Sequence, residues 1–293
     1  MSPIVIVLIL VAAIAHASWN LFSKQAATAG AACFVWLMSA AGSVMYGPAV
    51  IVAVQAGRSW LTGLAWVFMA GTGILQAGYF LLLQNGYRLG DLSLVYPVGR
   101  STGALLAALA GIIFFGERPG PGAIAGILLI VAGVIALGIP GRSGAAAAAP
   151  TPAAGRAVTF AAGTGTFIAA YTLWDKYAVS TLRIPPLVQG YASLAGMSLL
   201  LAPLALRDTR RLRGVWRSCR PQVLGAAALS PLAYILVLVA LRFTAVSTVA
   251  PAREISVLFG VLLGRRLLHE GSLARRLAAA TAIAAGIITL AFG

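Results

Sequence analysis

Apolar runs of about twenty residues alternate with short polar gaps along almost the whole chain. As a helix rising 1.5 Å per residue, a run of that length crosses the ~30 Å hydrocarbon core of a bilayer. The pattern predicts spans near 3–22, 31–54, 61–86, 91–115, 119–139, 157–178, 185–206, 221–243, 245–264 and 273–292. The expected fold class is therefore an all-α membrane protein of ten transmembrane helices. One gap differs from the rest. Residues 141–156 are rich in Ala, Gly and Pro and read as a linker between a first half, 1–140, and a second, 157–293. The first run contains Ala15-His16-Ala17, which is similar to a signal-peptide cleavage site. No Lys or Arg precedes it, and the segment has a counterpart later in the chain. It is expected to stay as a helix.

The two halves match each other. A shift of 154 residues pairs Ser39, Ala41 and Gly42 with Ser193, Ala195 and Gly196, and Arg88, Ser93, Val95 and Pro97 with Arg242, Ser247, Val249 and Pro251. A shift of 153 then pairs Arg100 with Arg253, Gly111 with Gly264 and Glu117 with Glu270. Near the start, Trp19-Asn20 pairs with Trp174-Asp175 at a shift of 155. Ala and Leu coincidences mean little in so apolar a chain, whereas Arg, Pro, Glu and Trp matching in order mean much more. Five spans per half is an odd number, so the second half is expected to enter the membrane inverted. Inverted repeats of this kind are typical of secondary transporters, which bind substrate near the midplane between the halves.

Composition agrees with a lipid environment. Of the 293 residues 60% are hydrophobic and 9% charged, with a mean hydropathy of +0.95. A soluble domain carries roughly 25% charged residues. The net charge of +15 could suggest nucleic acid, but the 21 Lys and Arg lie mostly in short gaps between spans, and no basic domain stands apart. No nucleic-acid partner is expected; the partners expected are lipid and a small-molecule substrate. Two Cys, two His and six acidic residues leave little material for metal or hydrolytic chemistry. No enzyme, cofactor or metal site is expected, and oligomeric state is left open between monomer and dimer.

The run Leu89-Gly90-Asp91-Leu92-Ser93-Leu94-Val95-Tyr96-Pro97, then Phe115-Gly116-Glu117-Arg118-Pro119, then a Gly-spaced helix, resembles the EamA-type module of the drug/metabolite transporter superfamily. His16-Ala17-Ser18-Trp19-Asn20 is similar to that module's first helix. The likeness covers nearly the whole chain as two tandem modules. It is weaker in the second half, where Leu268-His269-Glu270-Gly271 replaces the Gly-Glu-Arg corner. The resemblance implies a ten-helix carrier of metabolites, often amino acids or related compounds. The function expected is a secondary transporter moving a small polar metabolite, amino-acid or organic-anion-like, across the inner membrane as an exporter. An exporter of cationic drugs and a membrane-embedded non-transport protein are the alternatives.

Several residues are candidates for the substrate site. Arg100 lies about nine residues into span four, ~14 Å deep at helical rise; Arg253 and Glu254 lie at a similar depth in span nine. A charge there costs several kcal/mol unless it meets a cavity or a partner. Two guanidinium forks suit an anionic group held from two sides; an internal Arg100–Glu254 pair is the competing arrangement. Pro97 and Pro251 precede the arginines, each freeing the carbonyl four residues back, at Ser93 and Ser247. Helix breaks at matched positions are expected at a transporter site. His16, Asn20 and Lys24 share one helical face, with Trp19 beside them. Tyr171, Trp174 and Asp175 form the matching stripe. Tyr96 is a further hydrogen-bonding candidate, and Glu254 and Asp175 are the proton-coupling candidates.

Charge placement bears on orientation. Fourteen Lys and Arg fall in odd-numbered loops, six of them at 207, 210, 211, 213, 217 and 220, against five in even loops. Positive-inside logic puts the odd loops in the cytoplasm and both termini outside. The family resemblance implies the reverse.

Overall fold

The computed structural model describes residues 2–26, 29–89, 92–138, 152–256, 259, 278–279, 281–283, 285–286 and 288–289. Its regular elements are all helices: α1 (Pro3–Gln25), α2 (Ala31–Gln55), α3 (Gly63–Leu89), α4 (Leu92–Phe115), α5 (Pro121–Gly138), α6 (Pro152–Ser180), α7 (Pro186–Leu206), α8 (Thr209–Ser218), α9 (Arg220–Phe243) and α10 (Val246–Ala252). Among the described residues six helices (α1 to α4, α7 and α9) are long and apolar enough to cross a bilayer, and α5 is a shorter apolar one. The 29-residue α6 is longer still but carries Arg156, Asp175 and Lys176. The first eight expected spans fall on α1 to α7 and α9. The ninth begins at α10; residues 257–258 and 260–264 of the ninth, and just over half of the tenth, lie outside the described residues. Two boundaries differ from expectation. Helix α6 starts at Pro152, inside the expected linker, because proline fits the first helical turn, where its missing N–H has no role. The basic gap before α9 is itself a helix, α8.

Local sequence sets the ends. Ser2 accepts the Val5 N–H at 3.4 Å and Pro3 opens α1. Pro185-Pro186 starts α7, and Arg220-Pro221 starts α9. Helix α1 is apolar on every side, yet its faces divide. Ile4, Val7, Val11 and Ile14 are exposed at helical spacing, while Val5, Ile9, Ala12 and Ala13 are buried. The first stripe suits lipid; the second packs on the bundle.

Helices in lipid gain little from burying more apolar surface, so close approach and dispersion hold them together. The packing repeats between halves. Helix α1 runs along α9 as α6 runs along α3, and α2 packs on α7. At the α3–α7 crossing the backbones touch: a Cβ on Gly73 would lie 2.8 Å from Gly196 Cα, and one on Gly196 would lie 2.6 Å from Gly73 Cα. The equivalent α2–α9 crossing brings Gly42 against the Ala227 carbonyl. Residues 42 and 196, and 73 and 227, are the pairs that the 154-residue shift relates. The repeat read in sequence is thus also a repeat of helix crossings.

Candidate functional site

A cavity opens among α1, α3, α4, α6, α7, α9 and the turn after α10. It is lined by Ala12, His16 and Trp19 from α1, Gln76 and Tyr79 from α3, Arg100 from α4, Tyr171 from α6, Ser193 and Met197 from α7, Ser230 and Tyr234 from α9, and Arg253. Its lining sets two arginines, a histidine, a glutamine and three tyrosines among apolar side chains, the mixed character of a small-molecule site.

Arg100 is almost fully buried and forms a two-pronged pair with Glu254, Nε to Oε2 at 3.0 Å and Nη2 to Oε1 at 2.8 Å. Its Nη2 also lies 3.5 Å from Ser256 Oγ. Of the two arrangements expected for Arg100, the structure builds the internal pair, and Glu254 faces Arg100 rather than the cavity.

Arg253 lines the same cavity with a different surrounding. Its Nη2 donates to the Tyr171 hydroxyl at 3.5 Å, and among the described residues it makes no ion pair. Two guanidiniums therefore share one carboxylate. The repeat explains the imbalance, because Glu254 stands where the first half has Ser101.

His16 adds a second shortage of acceptors. Trp19 Nε1 donates to its Nδ1 at 3.1 Å, and Arg100 Nη1 lies 3.3 Å from its Nε2. Indole N–H and guanidinium are donors only. A neutral imidazole has one lone pair and one N–H, so it cannot accept at both nitrogens. An acceptor entering between His16 and Arg100 would resolve the conflict.

Asp175 is fully buried behind the cavity wall. It accepts hydrogen bonds from Gln189 Nε2 at 2.7 Å, from Thr72 Oγ1 at 3.2 Å and from the Tyr234 hydroxyl. All three donors are neutral, and among the described residues Asp175 has no cationic partner. Tyr234 is its link to the cavity. Gln189 and Thr72 were not singled out in sequence; a lone amide in the apolar run of α7 was the available signal.

The remaining candidates divide. Trp19 lines the cavity. Asn20 is buried and donates to the His16 carbonyl at 2.9 Å, and Tyr96 packs into the core among Ile127, Val249 and Ala250; neither lines the cavity. Trp174 also lies elsewhere. Its ring stacks on Phe68 at 4.2 Å, and its Nε1 donates to the Phe68 carbonyl at 2.8 Å, which anchors α6 to α3. The glycine at 71 gives the indole room, since a Cβ there would lie 2.4 Å from it.

The expected matched helix breaks are one-sided. Helix α4 runs unbroken through Ser93, Pro97 and Arg100, and the side chains of Ser93 and Pro97 lie outside the described residues. The second half does break: α10 ends at Ala252, and Arg253-Glu254 form a turn just beyond Pro251. Ser247 uses its backbone here. Its N–H and that of Val246 donate to the Glu117 carboxylate at 2.8 and 2.7 Å, so Glu117 caps the start of α10. Lys176 donates to the carbonyls of Leu241 and Thr244 at 2.7 and 2.8 Å, closing the end of α9 rather than reaching for the membrane surface.

Apolar helices packed around a buried, charged cavity define a multi-pass membrane protein of transporter type. The EamA-like transporter family model matches residues 3–139 and again 155–292, and the chain belongs to that family. A solved structure described only as "Crystal structure of protein" shares the fold at a TM-score of 0.71 and 18% identity, over 97% of this chain and 98% of that one. No curated protein matches the chain in sequence.

The Arg100–Glu254 pair yields a stability prediction. Removing one member of a buried pair strands the other charge, at a cost of about 3–5 kcal/mol. Glu254→Gln is expected to lower the unfolding midpoint of detergent-solubilised protein sharply. The double variant Arg100→Met/Glu254→Met, which removes both charges, is expected to recover most of that loss.

Proposed function

We propose that this chain is a secondary carrier of small anionic or zwitterionic metabolites, with the amino-acid and organic-acid class the best fit, working as an exporter in the inner membrane. In this reading it has ten transmembrane helices, formed by two five-helix halves of inverted orientation with the substrate between them. The observation that carries the proposal is Arg253: a guanidinium on the cavity wall whose one side-chain hydrogen bond among the described residues goes to a tyrosine hydroxyl. A substrate carboxylate would supply the missing counter-charge by a two-pronged bond to Arg253. It would also accept from the N–H that His16 cannot otherwise place. The geometry is less suited to a cationic drug, because both arginines line the cavity while Glu254 is engaged by Arg100 and Asp175 lies behind Tyr234.

Protons are the proposed coupling ion, at Asp175. Glu254 is held by a guanidinium, whereas Asp175 meets neutral donors alone, two of them hydroxyls that can donate or accept. The cluster can therefore satisfy either form of the carboxyl.

Purified protein in liposomes, supplied with labelled amino acids, short dicarboxylates and a lipophilic cation under a pH gradient, tests these points. Uptake of an anionic or zwitterionic compound is expected. Arg253→Gln should reduce it by at least about ten-fold, the loss of one charge-assisted contact of ~1.5–3 kcal/mol. Asp175→Asn should abolish the response to the pH gradient while sparing exchange of labelled for unlabelled substrate. Movement of the cation alone would overturn the reading.

Orientation follows charge in this proposal, with the α8 side of the bundle in the cytoplasm and both termini outside. In a Cys33→Ser/Cys219→Ser background, a cysteine at 118 should react with an impermeant maleimide on intact cells, and one at 213 only after permeabilisation. The opposite labelling would restore the orientation implied by the family resemblance.

A further inference from the structure

Helix α8 takes no part in the cavity, yet it holds the densest charge in the protein. Arg207, Arg210, Arg211, Arg213, Arg217 and Arg220 fall within fourteen residues, with Asp208 as the sole acid. All six arginines are exposed, and among the described residues none forms an ion pair. Asp208 is occupied as the helix cap, accepting the Arg211 N–H at 2.9 Å.

The other side of α8 is apolar. Leu212, Val215, Trp216 and Cys219 recur at helical spacing; Val215 and Cys219 are buried in the bundle, and Leu212 and Trp216 pack against it. Arg210, Arg213 and Arg217 project from the opposite side of the turn. The depth of the helix is set by its neighbour: α7 exposes Leu199, Leu200, Leu204 and Leu206 along its last turns, and Arg207 follows at once. The lipid-facing surface thus ends where the arginines begin. Arg211 reaches back to the Ala29 carbonyl at 3.4 Å, which ties α8 to the segment before α2.

We propose that α8 is a headgroup-level docking surface for anionic phospholipids, its arginine side engaging lipid phosphates while its apolar side stays on the bundle. Charge complementarity selects this occupant. Guanidinium forks bind phosphate oxygens in pairs, and the helix places them at the height of the headgroups, where six arginines face the single acid Asp208 and none forms an ion pair among the described residues. A neutral lipid would leave the phosphates balanced by choline and gain far less.

Full-length protein in a neutral detergent, titrated with phosphatidylglycerol or phosphatidylcholine micelles and read by native mass spectrometry, tests the proposal. Phosphatidylglycerol should bind the more tightly, and raising NaCl from about 0.1 to 0.5 M should weaken it as the Debye length shrinks. Each arginine near an anionic surface contributes roughly a five-fold factor, so Arg210→Gln/Arg213→Gln/Arg217→Gln should weaken binding on the order of a hundred-fold. Should the triple variant not purify as a single species, each single variant should show its own five-fold loss. The control Arg58→Gln/Arg118→Gln/Arg183→Gln, at the far end of the bundle, should bind as wild type. Equal binding of the two lipids, retained binding in the α8 variants, or equal loss in the control would overturn the proposal. So would displacement of the lipid by inorganic phosphate at matching concentration, which would indicate a small-anion site. None of these readouts depends on transport.

Discussion

The bond between Arg100 and Glu254 joins the two halves inside the helix bundle, where an unpaired charge is expensive. Arg100 comes from a continuous helix of the first half, and Glu254 from a turn of the second. The pair occupies Nε and Nη2 of the guanidinium and both carboxylate oxygens, so the Glu254 carboxylate is fully engaged and the guanidinium largely so. What Arg100 has left is Nη1, which faces His16. The residual chemistry of the cavity is set by this one bond. It consumes the nearby carboxylate, leaves Arg253 with no ion pair among the described residues, and sets a donor against His16 Nε2 while Trp19 already donates to Nδ1 of the same ring. A pair buried this deeply is weak support for stability by itself, because desolvation offsets most of its attraction. Its larger effect is to specify what the cavity lacks.

A carrier built from two matched halves could be expected to present matched chemistry, and the sequence encourages that expectation through Arg100 and Arg253, Trp19 and Trp174, Pro97 and Pro251. The helix crossings do repeat. The side-chain roles do not, because the repeat diverges at single positions: Ser101 against Glu254, Asn20 against Asp175, Leu21 against Lys176. Each divergence places a charge in the second half alone. Glu254 takes Arg100, Asp175 gathers Thr72, Gln189 and Tyr234, and Lys176 closes α9. The second half supplies these three charges, and their partners come from both halves: Arg100 and Thr72 from the first, Gln189, Tyr234 and the carbonyls at the end of α9 from the second.

This division also marks what was legible in the chain. Eight of the ten spans could be placed on described helices from apolar run length, since lipid rewards continuous hydrophobicity and little else. Arg100, Arg253 and Glu254 stood out for the same reason in reverse. Which of them paired could not be read, because that depends on helix rotation and on a break that occurs after Pro251 but not after Pro97. Trp174 shows the same limit: identical in the repeat to Trp19, it turns onto α3 because Gly71 opens a slot there. Helix α8 was hidden for another reason. Its arginines gave the segment the composition of a loop, although Leu212, Val215, Trp216 and Cys219 already carried the spacing of a helix.

The short α10 connects these observations. Its first turn is capped by Glu117, which sits just beyond the end of α4, and its last residue is followed by Arg253 and Glu254, the latter bonded to Arg100 in the middle of α4. The helix dipole agrees with both ends, an anion at the start and a cation at the finish. Helix α10 is therefore tied to the α4 segment at two points about seven residues apart, and Arg253 is carried on that strut. Any rearrangement that opens the cavity to one side or the other must either move α4 and α10 together or break a buried ion pair. The first leaves no buried charge stranded and is far less costly, so α4, α10 and the Arg253 that follows them are expected to move as one body.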